Sequence, residues 1–429
     1  MDISYIHSLF LKCKSVVIDT RKIELNSLFI AIKGERFDAN TFAQEALDKG
    51  ASYVIIDNAT YYIDERTLLV DDGLVALQNL AKFHREYLNV PIIALTGSNG
   101  KTTTKELIQV VLSKKFNTKA TVGNLNNHIG VPLTLLSFHS ETEIGIVEMG
   151  ANHQKEIEFL CELAKPDYGY ITNFGKAHLE GFGGVEGVIA GKSEMYKYLS
   201  FNKKLTFINL EDPIQVEKSG SLKTYTFGVN KIDADVNITA VQANPFVAVT
   251  YSGITIQSQL IGLYNANNIS AALAIGKYFE VENDAIKEAL ESFVPENNRS
   301  QIVSKGTNQI ILDAYNANPS SMAVAIENFL QLDSSSKILV LGDMFELGEE
   351  SNQEHKSLVE MLLNDNEVKC YFIGTAFYNN KLEKSNFNFY KTFEDFTFDL
   401  ATNALIDNTI LIKGSRGMAL ERTLDFIPG

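Results

Sequence analysis

The chain has 429 residues, 45% of them hydrophobic, and a formal net charge of −15 at pH 7. This length exceeds what one hydrophobic core usually serves, so two or three domains are expected. The acidic balance argues against a nucleic-acid binder or a protein that binds anionic membranes, because both need an extended basic surface. Any anionic ligand must therefore be bound by local cations.

The cysteines and the start of the chain indicate the compartment. Cys13, Cys161 and Cys370 lie far apart, without the paired spacing of a metal site or a disulfide framework. The first residues, MDISYIHSLF, lack a basic segment before a long apolar stretch, and no apolar run approaches the roughly 18 residues of a membrane span. We therefore expect a soluble cytoplasmic protein with free thiols and no membrane insertion.

Residues 1–88 predict a small α/β domain. Short apolar runs, SVVID, SLFIAIKG and SYVIID, alternate here with helical patterns such as FAQEALDKGA. At Pro91 the pattern changes to the continuously apolar run IIALTG, which is typical of a buried strand, followed by the helical pattern KELIQVVLSKKF. A second domain, residues 89–296, is predicted to begin here.

The second domain continues through the predicted strands EIGIVEMG and DYGYITNFG, the helix VIAGKSEMYKYL and a β-rich stretch from LTFINL to ITIQSQLIG. A polar hinge is predicted around Asn297, in FVPENNRSQ. After it, strands and helices alternate afresh, which predicts a doubly wound third domain over residues 297–429. The predicted fold class is thus α/β in three domains, with a P-loop ATPase-like centre and a Rossmann-like third domain.

The segment TGSNGKTTT has the features of a phosphate-binding loop. Gly97 and Gly100 let the backbone turn with its N–H groups inward, and Lys101 adds a positive charge. Thr102 can then place its hydroxyl on a magnesium ion. Leu95 stands where the general pattern has its first glycine, so a plain strand-to-helix turn is the alternative interpretation.

Three further polar residues of the second domain are candidates, each with an ordinary alternative. Glu148 ends the buried run EIGIVE, at the strand edge where ligands gather in open α/β sheets, but a solvated carboxylate fits there equally well. His178 lies in the glycine-rich loop NFGKAHLEGFG, where a lone histidine is more often simply exposed. Lys192, in AGKSEM, lies on a predicted helix, and most helix lysines are solvated. No Ser/His/Asp or Cys/His set accompanies the loop, so the nucleophile is expected to belong to a substrate.

Taken together, the motifs resemble the Mur ligase family, the ATP-dependent amide-forming enzymes of peptidoglycan synthesis. The similar segments follow in the family's order over nearly the whole chain: TGSNGKTTTKE, GNLNNHIGVPLTLL, VEMGAN, ITNFGKAHLEGFG, GKSEM, GLYNANN, DAYNANP, LGDMFELG and KGSRG. DAYNANP and LGDMFELG are similar to the motifs of the member that adds D-alanyl-D-alanine to UDP-N-acetylmuramoyl-tripeptide. The DNPR-type stretch of the ligase one step earlier is not found in the sequence.

This resemblance implies an ATP-dependent ligase that works through an acyl phosphate with two Mg²⁺ ions. The ATP-binding residues that it implies are Gly97, Ser98, Asn99, Gly100, Lys101, Thr102, Thr103, Asn268, Arg299, Asp313, Tyr315 and Asn316. The implied metal ligands are Thr102, Glu148, His178 and Lys192, with Lys192 carbamylated. The implied catalytic residues are Lys101, Glu148, His178 and Lys192.

The resemblance also implies two substrate sites. The nucleotide-sugar tripeptide would be bound by Asp19, Thr20, Arg21 and Asn127, and the carboxylate of D-alanyl-D-alanine by Lys413, Ser415 and Arg416. For the last three, phosphate contacts or a solvated turn are nearly as well supported. The family often has Gly-His where Ala39 and Asn40 follow Asp38, so a contact made by that histidine is in doubt.

Two other functions remain open at this stage. One is a folylpolyglutamate synthase or a related amino-acid-adding enzyme, against which the DTR segment of the first domain argues. The other is a nucleotide-dependent switch without coupling chemistry, which would turn over or bind ATP independently of any amine. We expect a monomer whose domains lie further apart without ligands, because the implied site residues are spread over three domains.

Overall fold

The computed structural model describes residues 2–296 and 298–429. Within these ranges the chain forms a four-stranded, a nine-stranded and a six-stranded sheet, together with a two-stranded hairpin, and helices cover the large sheets. This confirms the predicted α/β class. Asn297, at the centre of the predicted hinge, lies outside the described residues. None of the helices found in the described ranges is long and apolar enough to cross a membrane.

The N-terminal sheet is entirely parallel, with the strand order β1-β2-β5-β6. Its long helix α3 begins at an Asp72 cap, ends at a left-handed Asn89, and packs against α1 and against α5 of the next sheet. The strands here are β1 (Ser15–Val17), β2 (Ser27–Ile30), the hairpin β3 (Lys33–Gly34) and β4 (Phe37–Asp38), β5 (Ala51–Ile56) and β6 (Thr67–Leu69). The helices are α1 (Ile3–Phe10), α2 (Ala43–Asp48) and α3 (Gly73–Leu88).

The central sheet has the order β15-β14-β13-β12-β11-β10-β7-β9-β8 and is parallel from β8 through β13. Its strands are β7 (Ile92–Thr96), β8 (Thr118–Ala120), β9 (Ile144–Glu148), β10 (Tyr168–Ile171), β11 (Leu205–Asn209), β12 (Lys223–Val229), β13 (Val236–Ala243), β14 (Phe246–Tyr251) and β15 (Ile254–Ile261). Its helices are α4 (Lys101–Leu112), α5 (Gly130–Leu136), α6 (Glu156–Ala164), α7 (Leu179–Phe182), α8 (Val185–Lys192), α9 (Glu194–Phe201), α10 (Pro213–Ser219), α11 (Asn265–Tyr278) and α12 (Asn283–Ser292).

The register of the central strands brings the polar loops together. Leu95 of β7 pairs with Glu148 of β9, and Thr96 pairs with Ile171 of β10. Because these strands are parallel, their carboxyl ends share one edge of the sheet. All five residues of β7 are buried, as the continuous apolar run predicts for a strand covered on both faces.

The third sheet has the order β16-β17-β21-β18-β19-β20, and only β16 runs antiparallel to its neighbour among the described strands. Asp313 pairs with Lys413 in its register. The strands are β16 (Gln301–Lys305), β17 (Asn308–Asp313), β18 (Lys337–Gly342), β19 (Lys369–Ile373), β20 (Phe387–Tyr390) and β21 (Thr409–Lys413). The helices are α13 (Pro319–Leu330), α14 (Ser351–Met361), α15 (Thr375–Asn379) and α16 (Phe393–Thr402).

Candidate active site

The loop between β7 and α4 needs glycine at two positions. Gly97 has φ 143° and Gly100 has φ 78°, a range that L side chains rarely adopt. A Cβ atom on Gly97 would lie 2.0 Å from Oγ1 of Thr172, and one on Gly100 would lie 2.7 Å from Oδ1 of Asn268. The predicted loop therefore packs against Thr172, which follows β10, on one side and against Asn268, a predicted ATP-binding residue, on the other.

Hydrogen bonds from the segment after β10 fix the shape of this loop. The Ser98 hydroxyl donates to the Gly175 carbonyl at 2.6 Å, and the Asn99 amide N–H donates to Oδ1 of Asn173 at 3.1 Å. Nζ of Lys101 donates to the Gly97 carbonyl at 2.8 Å. Both partners outside the loop lie in the segment that follows β10, so the loop is bonded to its own domain as well as to Asn318 of the third.

Lys101 is the cation at the start of α4. Burial lowers its pKa from the ordinary value of 10.5; the charge of Glu148 opposes this effect, and that of Arg299 adds to it. A phosphate group placed here would supply the negative partner that restores the charged form. The position of Lys101 at a helix N-terminus favours the same kind of ligand.

Glu148 is the residue that best fits a metal ion. It is 1% exposed, and its Oε1 accepts a hydrogen bond from Nδ2 of Asn126 at 2.8 Å. Its Oε2 is buried and has no hydrogen-bond partner among the described residues. A buried carboxylate oxygen without a partner is costly, and a cation in the adjoining cavity removes that cost.

His178 and Lys192 lie in different surroundings. His178 caps α7 in a left-handed conformation (φ 55°), and its Nδ1 contacts the carboxylate of Glu346 from the third sheet. Lys192 is 1% exposed, and its Nζ lies 3.4 Å from the carbonyl of Ala151, which lines the cavity. Burial lowers the pKa of Lys192 well below 10.5, and the nearby Lys101 lowers it further.

A preassembled metal cluster is not part of this site. Across residues 2–296 and 298–429, no three His, Cys, Asp or Glu side chains lie close enough together to hold a metal ion. The ligands predicted from the sequence contain one carboxylate and one imidazole, together with a hydroxyl and a lysine. A magnesium site built from them requires phosphate or substrate oxygens as further ligands, which suits an ion that arrives with a nucleotide.

A cavity of about 910 Å³ lies between the central and third sheets. Its size is that of a ligand site. The predicted residues that line it are Ser98, Asn99, Gly100, Lys101, Thr102, Thr103, Asn127, Glu148, His178, Asn268, Arg299, Asp313, Tyr315, Asn316 and Lys413. The structure therefore brings together residues that the sequence places more than 300 positions apart.

The third-sheet wall of the cavity is also fixed by polar contacts. Oδ2 of Asp313 accepts a hydrogen bond from Nζ of Lys413 at 2.5 Å, and Oδ1 accepts one from the Ser300 amide at 3.1 Å. The guanidinium carbon of Arg299 lies 3.6 Å from the centre of the Tyr315 ring, within the range of a cation–π contact. An aromatic ring, a carboxylate and two cations thus face the phosphate loop.

Three family models match successive parts of the chain. They are "Mur ligase family, catalytic domain" at residues 12–85, "Mur ligase middle domain" at residues 95–276 and "Mur ligase, glutamate ligase domain" at residues 298–416. The chain belongs to the Mur ligase family. The resemblance found in the sequence motifs is thereby confirmed.

The relatives extend this match over nearly the full length of the chain. A Bacillus subtilis protein named UDP-N-acetylmuramoyl-tripeptide–D-alanyl-D-alanine ligase is 37% identical over 95% of this chain and 91% of its own. A crystal structure of MurF from Acinetobacter baumannii is 30% identical, with a TM-score of 0.86, and covers 99% of this chain and 97% of that chain. MurF from Thermotoga maritima in complex with ADP is 28% identical, with a TM-score of 0.84, and covers 97% of both chains.

The KGSRG segment of this Mur ligase is divided between different surroundings. Lys413 lines the cavity, but it is paired with Asp313. The Ser415 hydroxyl accepts a hydrogen bond from the Phe345 amide at 2.9 Å and is buried. Arg416 is exposed and pairs with Glu421 at 2.9 Å. The three residues predicted to bind one carboxylate therefore have different partners, and Arg416 is the one with an exposed guanidinium.

The predicted UDP contacts lie in the N-terminal sheet, outside the cavity. Asp19 follows β1 and accepts hydrogen bonds from Nε and Nη2 of Arg21 at 2.9 and 2.7 Å. Thr20 offers its carbonyl to Nζ of Lys49 at 3.2 Å. The Arg21 side chain is 86% exposed, so a diphosphate can reach it and would compete with Asp19 for the guanidinium.

Asn40 shows what stands where the family often has histidine. Its side chain is fully buried, and its Nδ2 donates to Oδ1 of Asp38 and to Oδ1 of Asp57, both at 2.7 Å. Its Oδ1 accepts the amide N–H of Asp57 at 3.0 Å. The fully buried side chain therefore serves an internal polar network.

Asn127 lines the cavity, and its side chain also caps a helix. Its Oδ1 accepts hydrogen bonds from the amides of Ile129 and Gly130 at 3.1 and 2.9 Å, at the start of α5. Its neighbour Asn126, which holds Glu148, was not predicted from the sequence. Nor was Asn318, whose Nδ2 donates to Oδ1 of Asn99 at 2.7 Å. Both lie inside segments that resemble the family, GNLNNHIG and DAYNANP, but spacing alone does not tell which amide faces the site.

Proposed function

We propose that this Mur ligase joins D-alanyl-D-alanine to UDP-N-acetylmuramoyl-tripeptide with the hydrolysis of ATP to ADP and phosphate. The observation that carries this proposal is the shared cavity. In it, a phosphate loop and a buried carboxylate with one unpartnered oxygen, both from the central sheet, face cations and a carboxylate from the third sheet. The name of the Bacillus subtilis relative supports the choice of substrates.

Each predicted domain takes one part of the reaction in this proposal. Residues 1–88 bind the UDP end of the tripeptide substrate through Asp19, Thr20 and Arg21. Residues 89–296 bind ATP and carry the chemistry, and residues 297–429 bind the acceptor dipeptide, with the exposed Arg416 as the fork for its carboxylate. Lys413 and Ser415 lie beside Arg416 in sequence and complete the proposed acceptor segment.

ATP is proposed to bind along the cavity from the loop to the third sheet. The loop amides and Lys101 hold the β- and γ-phosphates, while Arg299 reaches a phosphate from the opposite wall. Asn268, packed against Gly100, meets the adenine, and Asp313 accepts a hydrogen bond from the ribose. The ADP complex of the Thermotoga maritima relative supports nucleotide binding at such a site.

The metal ligands are proposed as two pairs. Thr102 and Glu148 would hold one magnesium ion, and His178 and Lys192 a second. When bound, the ions neutralise the charge of the phosphates and of the substrate carboxylate. A lysine can ligate a cation only after its amine has added to carbon dioxide, losing a proton to give a carbamate. Burial favours the neutral amine of Lys192 that this addition requires.

The chemistry begins with the terminal carboxylate of the tripeptide, which is a poor electrophile because it is anionic. One of its oxygens attacks the γ-phosphorus of ATP, the bond from phosphorus to the bridging oxygen breaks, and ADP leaves with that electron pair. Lys101 balances the charge that accumulates on the β- and γ-phosphates. The product is an acyl phosphate, whose carbonyl carbon is open to attack.

In the second step the amine of D-alanyl-D-alanine, after losing a proton, attacks this carbonyl carbon. A tetrahedral intermediate forms, the C–O bond to the phosphate breaks, and phosphate leaves with the electron pair. The docked third sheet excludes water from the acyl phosphate. A more open form without ligands stays our prediction, and a scattering profile that does not change on adding nucleotide and tripeptide would count against it.

The test is phosphate release from ATP and magnesium with UDP-N-acetylmuramoyl-tripeptide, in the presence and absence of D-alanyl-D-alanine. We expect sustained release only with both substrates, and a product heavier than the tripeptide by the dipeptide less one water. Phosphate release that is independent of the dipeptide contradicts the proposal and favours the nucleotide-dependent switch. Release with a different amino acid instead favours another ligase of the family.

A further inference from the structure

Two loops from different sheets meet beside His178. The third-sheet loop at residues 343–348 follows β18 and carries Glu346, whose carboxylate contacts Nδ1 of the His178 ring. The carbonyl of Glu346 also accepts the amide N–H of Glu180, on α7, at 3.4 Å. A Cβ atom on Gly348 would lie 3.2 Å from Cβ of Glu180, so the loop packs closely on the helix that His178 caps.

This contact determines which nitrogen of the imidazole is available. An ionised carboxylate only accepts hydrogen bonds, so Nδ1 must carry the proton that points to Glu346. Nε2 then keeps its lone pair, and it has no hydrogen-bond partner within the part of the chain that the structure describes. Because His178 lines the cavity, Nε2 is the ring atom left for a cation or a substrate there.

The backbone of the third-sheet loop is held in place just before Glu346. Glu346 itself is left-handed (φ 61°). The amide of Met344 donates to Nε2 of the buried His355 at 3.0 Å, and the amide of Phe345 donates to Oγ of Ser415 at 2.9 Å. These bonds fix the backbone of the two residues before Glu346, so the third sheet sets the position from which its exposed side chain reaches His178.

We propose that Glu346 is a positioning residue of the ligase reaction: it orients the His178 ring from the opposite sheet, with Nε2 toward the cavity, and does so only when the third sheet is docked. The inference rests on the proposed function and adds a link between domain docking and the orientation of one side chain. A ring that is free to rotate before docking binds a cation less well than one whose second nitrogen is held.

A second cross-sheet contact provides a matched control. Nζ of Lys176, two residues before His178, donates to Oε1 of Glu354 on α14 at 2.5 Å. This pair spans the same two sheets but does not touch the imidazole. If Glu346 merely helps the sheets to dock, removal of Glu354 should have the same effect as removal of Glu346.

The direct test is NMR of the full chain with ¹⁵N-labelled histidine, in the presence of ADP, at fixed pH. The chain has 7 histidines, and His178→Gln identifies the signal to follow. We expect the Nδ1-protonated form in the natural protein, in Glu354→Ala and in Glu346→Gln, whose amide oxygen still accepts. Glu346→Ala should show a mixture of both tautomers. An unchanged tautomer in Glu346→Ala overturns the inference whatever the activity.

Steady-state kinetics then distinguish positioning from docking. Glu346→Ala should lower kcat by about 10- to 100-fold at nearly constant KM for ATP, with partial recovery in Glu346→Gln. Equal losses in Glu346→Ala and Glu354→Ala overturn the positioning role. Failure of the natural protein to form the dipeptide product would overturn the proposed function instead, and the NMR result would still decide whether Glu346 orients the ring.

Discussion

The two walls of the cavity are held in place by different means. In the central wall, Ser98 and Asn99 are held by hydrogen bonds to Gly175 and Asn173, in the loop that follows β10. In the third-sheet wall, the ion pair with Lys413 on the neighbouring strand holds the carboxylate of Asp313 in place. Polar side-chain contacts, such as that of Asn318 with Asn99, join the two walls. Each wall therefore has contacts within its own domain, and a small set of polar contacts joins the two walls.

Gly97→Ala should break the central wall and have the largest effect. The new methyl group would lie 2.0 Å from Oγ1 of Thr172, at a φ of 143°. We expect ADP affinity to fall by more than about 100-fold, because the loop must move by more than side-chain relaxation allows. Titration calorimetry with ADP measures this change. Gly253→Ala is the matched control, since it has positive φ but nothing within 4 Å of the new atom. Equal ADP affinity in both variants would contradict the packing argument.

Glu148→Gln tests the carboxylate of the same wall that has one unpartnered oxygen. The amide keeps the size of the side chain but loses the charge that suits a cation. We expect the magnesium concentration for half-maximal activity to rise by about 10- to 100-fold, while metal-free binding of ADP changes little. Glu211→Gln is the control, since this exposed carboxylate lines the same cavity. A magnesium requirement that is equal in both variants would remove Glu148 from the proposed metal site.

The interface between the N-terminal and central sheets contains two buried histidines, which make its stability depend on pH. His7 on α1 and His84 on α3 are buried and 3.0 Å apart (Nε2 to Nδ1), and His84 bonds the Phe138 carbonyl. Burial lowers the pKa of His7 to about 4. The unfolded chain binds this proton near pH 6.5, so stability should fall as the pH drops from 6.5 to 4, by at most about 1.4 kcal/mol per pH unit for this group.

Urea unfolding at pH 7 and pH 5 measures this dependence. His7→Phe should lose the contribution of this side chain to the pH dependence. The difference in unfolding free energy between the two pH values should therefore be smaller in the variant. An equal difference in the natural protein and the variant would show that His7 does not sense pH. We expect no comparable effect from Asn318, which carries no charge at the docking interface.

Substitution of Asn318 should have the smallest effect, and it can be designed to remove only one of its two contacts. Its Oδ1 caps α13, while its Nδ2 reaches Asn99 across the cavity. Asn318→Ala loses both contacts and should lower the free energy of unfolding by about 1 kcal/mol. Asn318→Asp keeps the cap but cannot donate, so it should retain stability and raise KM for ATP only a few-fold. Equal KM values in Asn318→Asp and the natural protein would mean that this contact does not support docking.

The sequence predicts the order of strands and helices. It also predicts the main residues of the central wall. The apolar run before Gly97 and the Lys-Thr pair after Gly100 predict both the strand and the loop, because local backbone requirements decide them. Glu148 was reached in the same way, as the last residue of a buried strand. The pairing of Leu95 with Glu148 then follows from the parallel register.

The contacts between sheets were not accessible in this way. Nothing in the spacing of LGDMFELG indicates that Glu346 reaches His178, because that contact depends on how two sheets pack. Ser415 likewise reads as a ligand contact in KGSRG, yet its hydroxyl holds the Phe345 amide. Lone polar residues gain their roles from long-range packing, which local sequence patterns do not contain.

The position of β21 in the third sheet has a consequence for synthesis of the chain. This strand, Thr409–Lys413, is the last strand in chain order, yet it lies in the interior of the sheet, between β17 and β18. Until a ribosome has released it, β17 and β18 each lack a neighbour, and their open edges can pair with other chains. A polypeptide that stops before Thr409 would therefore lack an interior strand, which separates β17 from β18, rather than an edge strand.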